Sequence, residues 1–125
     1  MSFRATYQRR ASIPGFSISE NVDVNVKEPR PRIETIADGQ TDVEIDFGID
    51  VSELQVFAMQ STVDMTVKTN SSSSPQETFN ITANKPVFWI VGEAAIFAGD
   101  VSSLFVTNAS GNSGNLEILT GVSAA

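Results

Sequence analysis

Four carboxylates lie close together in the sequence and are the strongest candidates for chemistry. Asp42, Glu44 and Asp46 occupy alternate positions, and Asp50 follows them. On a β-strand the three alternate side chains would share one face at spacings of about 7 Å. Hard oxygen ligands of this kind suit Ca²⁺, and paired carboxylates can also hydrolyse glycosides. The cluster therefore raises two possibilities, a calcium site and an acid–base pair.

The residues around this cluster favour neither chemistry. No glycine stands at the sixth position of a possible EF-hand loop, and the chain has one Trp and one Tyr, too few to line a long sugar cleft. We therefore interpret Asp42, Glu44 and Asp46 as the solvated face of a strand or as a dock for a basic segment. We predict no metal and no cofactor.

The chain contains neither His nor Cys. This excludes catalytic dyads built on those residues, the usual ligands of zinc, haem and iron–sulfur clusters, and disulfides. A serine nucleophile would need Lys68 or Lys85 as its base, but the sequence has no Ser-Lys motif and no nucleophile elbow. A glycine-rich phosphate loop is also absent. We expect a protein that is not an enzyme.

Two adjacent aromatic residues are candidates for a binding surface. If Phe88 and Trp89 lie on a strand, they point to opposite faces. One then belongs to the core, and the other is free to pack in a subunit contact or to stack on a sugar ring. Ile96 and Phe97 belong to the apolar stretch 94–98, which we expect to be buried on assembly. We predict that these four residues are assembly contacts.

Charge is unevenly distributed along the 125 residues, whose net charge is −7. Residues 1–32 hold six basic and three acidic groups, a net +3, and residues 33–125 hold two basic and twelve acidic groups, a net −10. The acidic body disfavours binding to nucleic acid. We expect Arg4, Arg9 and Arg10 to be assembly contacts that reach the acidic segment Asp42–Asp46 of a neighbouring copy.

The pattern of apolar residues predicts the architecture. Residues 1–16 show no clear period, so we predict an extended basic arm that orders only against another molecule. After it, alternating or apolar runs are separated by Gly, Pro, Asn and Ser clusters. The first run covers 18–26 and should end at Pro29 and Pro31. The other main runs cover 41–47, 55–60, 62–69, 77–83, 86–91, 104–108 and 116–119.

These runs predict that residues 17–125 form a single all-β domain, an antiparallel β-sandwich that is jelly-roll-like or a small barrel. One short motif occurs twice, as Asp50-Val-Ser-Glu-Leu54 and as Asp100-Val-Ser-Ser-Leu104. In each copy Asp or Ser can cap a turn before a strand. We expect two similar turn-then-hairpin units that face each other across the core.

The segment from Asp50 to Leu119 resembles small virion proteins of tailed bacteriophages. The parts that carry the resemblance are Asp50–Leu54, the hairpin Val63–Asn70 with the Ser-Pro loop after it, Ile81–Trp89 and Leu104–Ser110. The resemblance implies a β-sandwich subunit that decorates or cements a capsid, or that sits in a neck or tail. It does not cover the first 49 residues, and no catalytic position carries over.

We therefore expect a non-enzymatic structural virion protein, in the first place a capsid cement or decoration protein that stabilises the phage head. Its expected partners are other copies of itself, in homo-oligomers such as trimers, and the major capsid protein or other virion subunits. We expect no nucleic-acid partner, because the body is acidic. We also expect no membrane partner, since the N-terminal segment has no apolar run as long as a secretory h-region and no apolar stretch is long enough to span a membrane. The expected address is the virion, after synthesis in the host cytoplasm. Two alternatives remain, a neck, tail or fibre component and a carbohydrate-binding module that uses Phe88 or Trp89.

Overall fold

The computed structural model describes the backbone of residues 3–123 and the side chains of residues 4–26 and 31–122. Residues 1, 2, 124 and 125, which the predicted segments 1–16 and 17–125 include, lie outside the described residues. Within 3–123 the regular elements are nine strands: β1 (Phe3–Ile13), β2 (Phe16–Ile36), β3 (Val43–Ile49), β4 (Leu54–Ser61), β5 (Met65–Thr69), β6 (Thr78–Ile81), β7 (Val87–Ile90), β8 (Val101–Thr107) and β9 (Gly114–Ser123).

The strands form two packed antiparallel sheets. One sheet has the order β1-β2-β9-β4-β7 and the other has the order β3-β8-β5-β6. If β1 is set aside, consecutive strands cross from one sheet to the other at every connection except β5 to β6. This is the order of an eight-stranded jelly roll. The predicted all-β antiparallel sandwich is confirmed, and β1 is an additional strand at the edge of the five-stranded sheet.

The main core lies between the two sheets and is closed by an aromatic cluster. Phe97, from the loop between β7 and β8, sits at its centre, with ring centroids 5.2 Å from Phe57, 6.0 Å from Phe79 and 6.5 Å from Phe47. All three pairs are edge-to-face, the favoured geometry for aromatic rings. Residue 97 therefore holds a loop onto the core, because its ring fills the space between the two sheets.

Pro29 and Pro31 do not end the second strand, contrary to the prediction. β2 continues through them to Ile36, with a register shift between Lys27 and Arg30. In the described part of the chain β1 pairs with β2 only as far as Val26, so the strand lies at the sheet edge beyond that point. An edge position or a bulge is where a strand tolerates proline, because the missing N–H costs no ladder hydrogen bond.

The repeated Asp-Val-Ser motifs meet at one end of the sandwich. The Asp100 carboxylate accepts a hydrogen bond of 3.0 Å from the Val51 backbone N–H. The first motif leads into β4 of the five-stranded sheet, and the second leads into β8 of the four-stranded sheet. The first strands of the two units therefore lie in opposite sheets, as expected. The hairpin part of the prediction is wrong, because the strand after each unit crosses to the other sheet.

Candidate assembly surface

The N-terminal segment is paired within the chain. β1 and β2 form a hairpin, here called the ribbon (residues 3–26), in which Phe3 pairs with Val26 and Ile13 pairs with Phe16. Pro14 and Gly15 make the turn, and Gly15 has a φ of +83°, a conformation open to glycine as in a type II turn. The expectation that this segment orders only against another molecule is corrected, since β2 supplies its hydrogen-bonding partner.

The ribbon has one apolar and one polar face. Directly opposed residues of an antiparallel pair lie on the same face. The face that carries Tyr7 is apolar apart from the Arg9–Glu20 pair, and it comprises Ala5, Tyr7, Ala11 and Ile13 on β1 and Phe16, Ile18, Val22, Val24 and Val26 on β2. The other face carries Arg4, Thr6, Gln8, Arg10 and Ser12 opposite Ser17, Ser19, Asn21, Asp23 and Asn25. Such alternation means that the ribbon is built to cover one surface and to leave the other in water.

At the base of the ribbon, the part that contains Tyr7 and Val26, this apolar face packs on the outer face of the five-stranded sheet. Tyr7 meets Phe88 edge-to-face at a centroid distance of 5.2 Å. Val26 and Val56 close over Gly121, where a Cβ would lie 2.8 Å and 2.9 Å from their Cγ1 atoms. Tyr7, Val26, Val56 and Ile90 are all buried but lie outside the main core. They form a second small core that fixes the ribbon to the sandwich.

Three charged side chains, Arg9, Glu20 and Glu93, mark the point where the ribbon leaves the sheet. The Arg9 guanidinium donates to Glu20 on the ribbon at 2.8 Å and to Glu93, in the turn after β7, at 2.6 Å. It also lies 4.7 Å from the centre of the Tyr7 ring. The hydrogen bond from Arg9, with a second from the Ile90 N–H, holds the pKa of Glu93 below its ordinary value. Burial raises the pKa of Tyr7, against a smaller opposite effect of Arg9.

Beyond Arg9 and Glu20, the ribbon tip (residues 10–19) projects into solvent. All residues from 8 to 21 are exposed. Ile13, Phe16 and Ile18 are 68%, 63% and 65% exposed and continue the apolar face that Tyr7 and Val26 bury at the base. A two-stranded hairpin is marginally stable by itself in water, and contiguous exposed apolar groups mark contact surfaces. The tip is therefore the foremost candidate for a binding element.

A second apolar surface lies on the outer face of the five-stranded sheet, beside the docked base of the ribbon. Pro31, Leu119, Ala58 and Phe88 stand directly opposite one another on four neighbouring strands. Together with Ile33 they form what we call the outer stripe. It borders an open groove of about 390 Å³, with Arg32, Gln60 and Glu117 among its polar neighbours. Three strand spacings make the stripe about 14 Å long.

The predicted acidic cluster is dispersed among local contacts. Asp42 lies 3.5 Å from the Lys68 ammonium, and Glu44 accepts a hydrogen bond from Ser103. Asp50 caps a turn by accepting from the Ser52 N–H and hydroxyl, which lowers its pKa. Asp46 is exposed on β3, an edge strand. Within the described residues no group of three or more acidic side chains is placed to hold a metal ion, and we do not propose calcium binding.

Three of the four predicted apolar contacts are turned inward. Phe97 is buried in the core, and Ile96 and Trp89 pack against it. The Trp89 indole N–H donates to the Ala94 carbonyl at 2.9 Å. Phe88 alone of these residues is exposed, on the outer stripe, so the expected split of Phe88 and Trp89 between two faces is observed. In the stretch 94–98, Ile96 and Phe97 already lie against the core in the single chain, whereas the three alanines are exposed.

The structure brings the predicted basic residues together on the ribbon but gives them different surroundings. Arg9 is engaged by Glu20 and Glu93 of its own chain, whereas Arg4 and Arg10 lie exposed on the polar face. Contact of Arg4 and Arg10 with a neighbouring acidic strand stays a prediction. The sequence reasoning missed Ile13, Phe16 and Ile18, although the alternation of Ala5, Tyr7, Ala11 and Ile13 is a period-two signal that marks β1 as a strand.

Comparison with known proteins adds little to this description. No protein-family model matches the sequence, and neither does any curated protein. One similar solved structure is the cupin domain of Schizosaccharomyces pombe Cnp3, with 11% identity and a TM-score of 0.42 over 94% of this chain and 83% of that one. Another is a structure of Bacillus endospore appendages, a family of disulfide-linked pili, with 10% identity and a TM-score of 0.32 over 78% and 93%. Neither name connects the chain with a bacteriophage, and neither supports a functional conclusion.

One further property concerns the described segment 3–123. It contains no helix with the length and hydropathy that crossing a bilayer requires.

Acidification should loosen the ribbon. Because the folded-state pKa of Glu93 lies below its ordinary value of 4.5, its contribution is present above that value and is lost as the pH falls through the folded-state pKa. We expect near-ultraviolet circular dichroism of Tyr7 to show a loss of docking in this range. In Glu93→Gln the same step should be absent, because no carboxylate is left to titrate. An acid transition of equal size in both proteins would contradict this role of Glu93.

Proposed function

We propose that this protein is a non-enzymatic structural subunit of a tailed-bacteriophage particle, and that it serves as a capsid cement or decoration protein. The virion address rests on the sequence resemblance over Asp50–Leu119. The observation that supports an assembly role is the apolar surface that the single chain leaves uncovered, on the ribbon tip and on the outer stripe. Contiguous apolar surface of this kind is typical of protein contact sites.

In this proposal the ribbon tip binds to neighbouring virion subunits. Burial of Ile13, Phe16 and Ile18 contributes most of the binding free energy, at about 25 cal/mol per Å² of apolar area removed from water. Because the base of the ribbon is already fixed by Tyr7 and Val26, less conformational entropy is lost on binding than for an unattached arm. The exposed Arg4 and Arg10 then meet acidic groups at the rim of the contact.

The first measurement is the copy number of the chain in purified particles of the phage that encodes it, by quantitative mass spectrometry. A capsid cement protein is expected in hundreds of copies and a neck ring in about a dozen, as the symmetries of the two assemblies require. Absence of the chain from particles would refute the virion role. A count near a dozen would move the protein to the neck or tail.

The second measurement tests the surface. Deletion of residues 1–16 would also remove Tyr7 and Arg9, which hold the ribbon to the body, so the sharper change is Phe16→Ser with Ile18→Ser. We expect this variant to stay folded, since both side chains are exposed, and to lose most of its occupancy on particles. Ser17→Ala with Ser19→Ala, on the polar face of the same strand, is the matched control and should bind normally. Full occupancy of the Phe16/Ile18 variant would exclude the tip as the binding element.

The carbohydrate alternative is tested with the same protein. A glycan array that gives a specific hit, lost in Phe88→Ala, would favour a sugar-binding module. Phe88 is the informative residue here because Trp89 packs against the core, where its replacement would also disturb folding.

A further inference from the structure

The ribbon tip and the outer stripe are the uncovered parts of two apolar faces that pack on each other elsewhere in the chain. The apolar face of the ribbon is covered at its base, by Tyr7 and Val26, and bare at its tip. The outer face of the sheet is covered where Val56 and Ile90 lie beneath the ribbon, and the adjoining row of Leu119, Ala58 and Phe88 is only partly covered, with Tyr7 on one side of Phe88. Within the chain, the apolar face of the ribbon therefore already packs on the outer face of the sheet.

The ribbon tip cannot reach the stripe of its own chain while its base is docked. From Tyr7, which lies on Phe88, to Arg9, which lies on Glu93, the ribbon runs past the end of β7 and off the sheet. Ile13 follows Tyr7 by six residues, which in a strand is about 20 Å. The tip therefore points away from the molecule to which it belongs, and only a second molecule can present a stripe to it.

We infer that the ribbon tip of one copy docks on the outer stripe of a neighbouring copy, with Phe16 and Ile18 packed against Leu119 and Ala58. The partner is a second copy of this chain. The contact extends the packing of Val26 on Val56 and Gly121 by apolar groups of the same kind. The inference rests on the proposed function only in that both require the chain to bind copies of itself. It does not depend on whether the chain lies in the capsid, the neck or the tail.

This contact is heterologous, because tip and stripe are different surfaces. Each copy offers one tip and one stripe, so each takes part in two contacts, in a reciprocal dimer or a closed ring. In the reciprocal dimer both contacts lie in one interface, which brings the buried area closer to the roughly 800 Å² per partner of a stable interface than one tip alone could.

Complementation between two variants tests this pairing. Phe16→Asp keeps the stripe intact and Leu119→Asp keeps the tip intact. Each alone should be monomeric in light scattering, with a dissociation constant raised about 30-fold or more. Their mixture should form a one-to-one heterodimer through the one intact pair of surfaces, which binds more weakly than the original assembly because it keeps one contact per pair of copies. Ser17→Asp, on the polar face of the tip, is the matched control and should assemble like the original chain. Unfolding midpoints show that each variant is folded.

Since the chain has no cysteine, single cysteines can report the contact directly. Ile13→Cys mixed with Ala58→Cys should give a dimer with a short bis-maleimide. Ser12→Cys, on the opposite face of the ribbon, should not do so with Ala58→Cys. Faster cross-linking of Ile13→Cys to itself, or assembly of Leu119→Asp alone, would replace the inference with a tip-to-tip contact. A chain that is monomeric up to its solubility limit would overturn it.

The two proposals fail separately. If the tip-to-stripe contact forms but the chain is missing from particles, the inference stands and the virion role falls. If the chain is present on particles and Leu119→Asp binds them fully while Phe16→Asp does not, the tip binds another virion protein and the inference is refuted.

Discussion

Asn108→Ala is expected to lower the free energy of unfolding by about 3 kcal/mol. The Asn108 side chain is fully buried and uses all of its hydrogen-bonding capacity. Its amide donates to the carbonyls of Ile36 and Asn112 at 2.9 Å and 2.8 Å, and its oxygen accepts from the N–H and the hydroxyl of Ser110. Alanine would leave the buried Ile36 carbonyl without this donor and the Ser110 N–H without its acceptor, and each such loss costs about 1–3 kcal/mol.

This residue has a large effect because it joins three segments. Its backbone also pairs with Gly39 and Gln40, so the end of β8, the loop after β2 and the turn before β9 all meet at one residue. Urea unfolding gives the change as a lower midpoint at an unchanged slope. Asn112→Ala is the matched control, because Asn112 contributes its main-chain carbonyl to this network, and it should change stability by less than about 0.5 kcal/mol. An equal, small effect of both substitutions would show that the network is not stabilising.

The second large effect is expected from Gly121→Ala, which should release the ribbon. A Cβ at this position would lie within 3 Å of the Val26 and Val56 side chains, and overpacking of this kind typically costs about 1–3 kcal/mol. The backbone of Gly121 is not in the left-handed region, so the effect is steric. Val26 is the neighbour able to yield, because it belongs to the docked ribbon, whereas Val56 lies within β4. Ribbon docking should therefore weaken while the jelly roll stays folded.

Tyr7, the one tyrosine of the chain, reports this release. In the docked ribbon burial holds the pKa of Tyr7 above its ordinary value of 10.0, and undocking should bring it back to that value. Absorbance of the phenolate against pH measures it. A raised pKa also means that docking is favoured below pH 10 and weakens as the pH rises through the folded-state pKa.

Two further variants complete this experiment. Gly99→Ala, where the nearest side-chain atom is Gln76 Oε1 at 3.3 Å, is the matched control and should leave the pKa of Tyr7 unchanged. Val26→Ala combined with Gly121→Ala should restore part of the docking, since one of the two Cγ1 atoms that clash is removed. A Tyr7 pKa that is unaffected by Gly121→Ala would mean that the ribbon is held by other contacts.

The strands of the body followed from local alternation. Asp42, Glu44 and Asp46 against Val43, Ile45 and Phe47 predicted β3, because a half-buried strand has a period of two. The same reasoning underestimated β2, since proline was taken as an end where the structure has an edge and a bulge. It also placed Phe97 at an interface, because an apolar loop residue looks the same in sequence whether its own core or a neighbour covers it.

By itself the sequence determined the class of the fold, the positions of most strands and the absence of His and Cys chemistry. These are properties of composition and of residues two apart, and they do not depend on what lies across the molecule. Tertiary structure alone decided that Tyr7 packs on Phe88 and that Val26 packs on Val56. It also decided that Ile13, Phe16 and Ile18 are left in water. Residues far apart in the chain meet there, so the covered and uncovered parts of one apolar face can be distinguished only once the ribbon and the sheet are placed together.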